Sequence, residues 1–172
     1  MKTVLHSYSK GVDHINEWLG KMAGWLTTFL MILIVYDVIN RYLFNYSNPA
    51  TFELEWHLFA IIFLMGAGYT LKHDRHVRVD VFYANFSEKQ KAWVNLTGTV
   101  LFLIPFCLIV IKGGIPYVEV SYNMNEKSTD PGGLPFRYAI KSVIIIGFFF
   151  LLLQGTSSMA KSILTLLGEK KT

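Results

Sequence analysis

Five histidines and a ring of acids and bases around apolar sequence are the side chains here that could do chemistry. His6, His14, His57, His73 and His76 would suit haem or a metal, and Asp37, Arg41, Glu53 and Glu55 would suit proton or ion handling. Spacing argues against haem. The apolar runs at 25–44, 93–111 and 140–159 hold no histidine, so a haem bridging two helices would lack its second ligand. His57 and His73 are sixteen residues apart, roughly 24 Å along a helix, and belong to opposite ends of one segment. His73 and His76 stand one turn apart, but no cysteine or carboxylate cluster with structural-zinc spacing joins them. Cys107 is the single cysteine and lies inside an apolar run, which reads as packing. No phosphate-cradling glycine loop, nucleophile elbow or zincin motif occurs. A proton-coupled carrier needs an acid in mid-membrane. Asp37 is the candidate, and Arg41, four residues on, shares its helical face and neutralises it. The expectation is a chain without catalytic residues, bound metal or cofactor.

The elements that carry these groups are long apolar helices. Of 172 residues 52% are hydrophobic and 16% charged, and four uncharged or nearly uncharged runs reach the roughly 20 residues that cross a ~30 Å hydrocarbon core. The sequence predicts an all-α integral membrane protein with spans at about 25–44, 52–71, 91–112 and 139–160, an outer connection at 113–138, and no separate soluble domain. Four crossings put Lys2, Lys10, Lys21, Lys72, Arg75, Arg78, Lys89, Lys91, Lys161, Lys170 and Lys171 on one side. Only Arg41, Lys112, Lys127, Arg137 and Lys141 fall on the other. The positive-inside rule then places both termini in the cytoplasm, and membrane orientation rather than nucleic acid accounts for the net charge of +4. The N-terminus lacks the order of a cleaved signal peptide.

Residues 4–22 alternate apolar and polar positions at helical spacing, which predicts an amphipathic helix lying in the membrane interface ahead of the first span. Asn48 or Thr51 is placed to cap the second span, and Ser87 with Gln90 forms a capping box that starts a helix at Glu88. Pro105 predicts a kink in the third span. Pro116 and the Asp130-Pro131-Gly132-Gly133-Leu134-Pro135 run predict turns through the second outer connection. The short connection between spans one and two brings Arg41 toward Glu53 or Glu55, next to Trp56, as an outer clasp. Arg75, His76, Arg78 and Asp80 form an inner anchor.

Arg41-Tyr42-Leu43-Phe44, the acidic start at Glu53, Gly66-Ala67 and His76-Val77-Arg78-Val79-Asp80 follow one another in an order that resembles the small membrane subunit, of DctQ type, of tripartite ATP-independent periplasmic (TRAP) transporters. The resemblance covers roughly residues 20 to 160. It implies a multi-pass protein of the bacterial cytoplasmic membrane that scaffolds a large membrane subunit. That subunit would perform sodium-coupled import of organic acids or related solutes, with ligand delivered by a periplasmic binding protein. Substrate and sodium sites would belong to the large subunit, so Asp37, Arg41, Glu53, Glu55, Trp56, Arg75, His76, Arg78 and Asp80 are expected as structural or partner contacts. Two other readings stay open: a membrane-anchoring cytochrome subunit of a redox enzyme, and a self-sufficient small four-span transporter.

Overall fold

A computed structural model describes residues 2–73, 83 and 85–168. The helices are α1 (Lys2–Leu43), α2 (Pro49–Lys72), α3 (Glu88–Gly98), α4 (Ile104–Asn123) and α5 (Arg137–Leu166), with π-helical winding over Thr99–Leu103 joining α3 to α4. Four continuous helical stretches are long and apolar enough to cross a membrane.

Local sequence explains most boundaries. Asn48 accepts a hydrogen bond from the Ala50 N–H at 3.0 Å, and Pro49 supplies a preset φ at the first helical position of α2. At the start of α3 the Ser87 hydroxyl accepts from the Gln90 N–H, while Gln90 Oε1 accepts from the Ser87 N–H at 2.8 Å, which completes the capping box. The π-helical turn stands just before Pro105, whose ring nitrogen cannot donate to a carbonyl four residues back, so the irregularity sits where the proline requires one.

Two expectations are corrected. Residues 4–22 do not form a helix separate from the first span: α1 runs unbroken for 42 residues, roughly 63 Å, because its first half is held along one side by α2 and α5. The helix of the third span does not end at 112. The third span continues through Pro116 to Asn123, since a proline forfeits one backbone bond and the packing of this last stretch on α5 outweighs that loss. Gly114 lies against Ile145, the Lys141 ammonium sits 4.2 Å from the Tyr117 ring centroid, and Tyr122 meets Tyr138 edge-on at 5.2 Å.

α1 and α2 run antiparallel, α4 and α5 likewise, and α5 packs against every other helix. The contact between α2 and α5 is close because Gly147 faces Leu64: a Cβ at 147 would lie 2.7 Å from the Leu64 Cβ and 3.2 Å from its carbonyl oxygen. Leu71, Cys107 and Leu151 form a small apolar core, with Cys107 fully enclosed. The surface inverts that of a water-soluble protein. Asn16, Gln154 and Ser157 are 0% exposed, whereas Trp25 is 77%, Phe102 74% and Phe63 68% exposed. Polar groups inside and large apolar groups outside are what hydrocarbon solvent selects.

Candidate functional site

The polar residues gather at the two ends of the bundle. The loop end comprises the α1–α2 turn and the connection Met124–Phe136; the terminal end carries the C-terminal ends of α2 and α5 and the first half of α1.

At the loop end, Glu53 is buried and is the centre of the assembly. Its carboxylate accepts from the Leu134 N–H at 2.6 Å, from Arg137 Nη2 at 2.9 Å and from the Ser128 hydroxyl. The loop is shaped to reach it. Asp130 to Gly133 close a β-turn through a 3.0 Å bond between the Gly133 N–H and the Asp130 carbonyl, with Pro131 at the second position and Gly132 at φ 85° in the third. Gly133 must be glycine for a second reason: an added Cβ would stand 2.9 Å from Glu53 Oε2 and collide with the Ser128 side chain. Glu126 anchors the start of the loop by accepting from Lys141, and its carbonyl accepts from the Arg137 N–H at 3.0 Å. The Lys141 ammonium holds the Glu126 carboxyl below its ordinary range. A helix-borne carboxylate thus organises the loop as an anion would organise a binding site, using charge-assisted bonds from a cation and a backbone amide.

The outer clasp therefore has different members from those expected. Arg41 pairs with Asp37 one turn back on α1, not with Glu53. Glu53 is held by Arg137 of α5. Glu55 faces the Asp37–Arg41 pair, and its Oε1 is buried without a partner among the described residues. The reason is angular: positions two apart on a helix point about 200° apart, so Glu53 and Glu55 cannot share one partner helix. Trp56 stacks on His57 at 3.9 Å, and His57 Nδ1 donates to the Glu53 carbonyl. Arg75, His76, Arg78 and Asp80 lie outside the described residues.

The terminal end holds two clusters that the sequence reading missed. Asp13 accepts from Lys161 at 2.5 Å, from Gln154 Nε2 at 2.9 Å and from the Ser157 hydroxyl at 3.1 Å, and Asn16 Nδ2 donates to Gln154 Oε1 at 2.9 Å. Tyr8 meets Thr156 at 2.7 Å. Tyr8, Asp13 and Asn16 of α1 thus meet Gln154, Thr156, Ser157 and Lys161 of α5, which joins the two helices here. Next to this, Glu17 accepts from Lys72 at 2.5 Å and His73 at 3.1 Å, which ties α1 to the last turn of α2. The signal was present as two matching polar stripes: Ser9, Asp13 and Asn16 on one helix, Gln154, Ser157 and Lys161 on another. Buried polar groups paired in this way fix which helix faces meet.

Chemically, the arrangement binds helix to helix. Glu53 at one end and Asp13 at the other accept hydrogen bonds from bases or amides of the same chain, and no group of three or more His, Cys, Asp or Glu able to hold a metal occurs among the described residues.

A family model described as tripartite ATP-independent periplasmic transporters, DctQ component, matches residues 30–165. A protein of Haemophilus influenzae, named as a candidate TRAP transporter small permease protein, is 24% identical over 135 residues, covering 77% of this chain and 82% of its own length. No solved structure matches.

Proposed function

The chain belongs to the DctQ component family of tripartite ATP-independent periplasmic transporters, and on that premise we propose that it is the scaffold subunit of a sodium-coupled importer of organic acids or related solutes. It is a multi-pass inner-membrane protein and a component of a transporter. In this reading a separate large membrane subunit carries the substrate and sodium sites, a periplasmic binding protein delivers the solute, and both termini of this chain face the cytoplasm. The ordered loop Met124–Phe136 then lies on the periplasmic side, where it offers the binding protein a surface fixed by Glu53.

One observation carries the scaffold reading. Phe52, Trp56, Phe59 and Phe63 repeat at intervals of four, three and four residues along α2, all exposed, and Gly66 continues the line with open space where a side chain would be. A seam of rings at this spacing with a small residue at its end suits a partner helix packed lengthwise. Meanwhile Glu53, Asp13, Glu17 and Glu126 are engaged with this chain's own bases, which favours reading them as supports for shape rather than ports for ions.

Truncating the seam without adding charge tests this. In the double variant Phe59→Ala, Phe63→Ala, the amount of large subunit recovered with tagged chain should fall several-fold, while Phe102→Ala, Ile109→Ala on the third span should leave recovery unchanged. Undiminished recovery from the Phe59, Phe63 variant would remove α2 as the contact.

A further inference from the structure

The third span carries a charge that its own bundle leaves uncompensated. Lys112 is exposed on α4 and makes neither an ion pair nor a hydrogen bond among the described residues. Its depth follows from its neighbours. Phe106 meets Phe148 edge-on at 5.5 Å, and Gly114 lies against Ile145, so Lys112 is level with residues 145–148 of α5, where Gly147 packs on Leu64 of α2. From Leu64 the ends of α2 at Pro49 and Lys72 are roughly 22 Å and 12 Å away along the helix. Both distances exceed what a lysine's four-carbon stem spans by snorkelling. A lone ammonium at this depth is costly against hydrocarbon and faces protein or enclosed water instead.

Leu108, Lys112, Ile115 and Glu119 follow at intervals of four, three and four residues, all exposed, and form one stripe. The opposite side of α4, with Cys107, Gly114 and Ser121, faces the bundle. Ile109 and Phe102 point about 90° and 110° away from the middle of the stripe and stay outside it. The stripe is positive in mid-membrane and negative two turns farther out, and Lys112 and Glu119 form no ion pair with each other. A second copy of this chain does not complement it: two copies inserted alike bring Lys112 to the depth of its own counterpart, where like charges repel. What fits is a helix of another chain with a carboxylate at that depth.

We propose that this stripe seats a membrane helix of the large subunit that carries an aspartate or glutamate opposite Lys112. The inference rests on the scaffold reading and adds to it a second contact with a stated charge. Leu108 and Ile115 flank the ion pair and shield it from lipid, so the lone chain bears an uncompensated charge that assembly neutralises.

A photo-crosslinking residue at Ile115 in living membranes, compared with one at Phe59, tests the pairing. Ile115 should give a product with the mass of this chain plus the large subunit. Lys112→Leu should reduce that product several-fold, and Lys112→Arg should retain it. The Lys112→Leu chain purified alone should unfold at the wild-type midpoint or above, since it loses a charge and no partner. A product from Phe59 with none from Ile115, an undiminished yield in Lys112→Leu, a lowered midpoint of that variant, or an Ile115 product with the mass of two copies would each overturn the pairing and leave the scaffold reading standing. No product at either position would remove that reading as well.

Discussion

Glu53 reaches Arg137 and the loop amide because the helical turn aims it away from α1, and Glu55, two residues on, faces Asp37 and Arg41 instead. Proximity in sequence suggested one clasp; the 100° step per residue makes two. The variants separate accordingly. Glu53→Ala strands the Leu134 N–H, the Ser128 hydroxyl and the Arg137 guanidinium in a buried site, so limited proteolysis should cut within Met124–Phe136 several-fold faster than in the wild type. Arg41→Glu should leave that rate unchanged, and equal rates for the two variants would restore Arg41 as the partner of Glu53. Glu126 adds a pH dependence. Its carboxyl is held below the ordinary range by Lys141, so folding binds fewer protons than unfolding, and the stabilisation is full above the ordinary value and lost as pH falls through the depressed one. The protection factors of the loop amides, that is exchange corrected for its intrinsic pH dependence, should therefore stay constant from pH 7 to about 5 and fall only below about pH 4, the ordinary carboxylate value. A loss of protection centred near neutral pH would assign the effect to another group.

At the scale of elements, the spans were legible because hydropathy needs only local composition, and the caps at Asn48 and Ser87 because a side chain and a backbone amide two or three residues apart settle them. The uninterrupted α1 was not, since nothing local says that Ser9, Asp13 and Asn16 find Gln154, Ser157 and Lys161 on a helix more than 130 residues away. The same holds for Pro116, read as a turn former and found inside a helix that α5 supports. Tertiary partners override local preference in both cases. Helix pairing also predicts a position-specific cost. Gly147→Leu must push α5 away from Leu64, an overpacking that costs about 1–3 kcal/mol and should lower the unfolding midpoint in detergent. Gly113→Leu, in open space on α4, should not. Equal midpoints would mean that α2 and α5 are not in close contact.

The whole molecule is a bundle with polar joints at its ends and an apolar exterior, and its shape states what it lacks as an isolated chain. α5 gives it a central post, the acids hold α1, α2 and the loop to that post, and the ring seam of α2 is left facing outward. Family membership was legible in the order of short motifs along the chain, one of which, His76 to Asp80, lies outside the described residues. The scaffold role rests on the seam, and a photo-crosslinking residue placed at Phe59 in living membranes probes it most directly. The account predicts a discrete covalent product whose mass equals this chain plus the large subunit, with none from the same residue at Phe102. No such product from Phe59, or equal products from both positions, would contradict it.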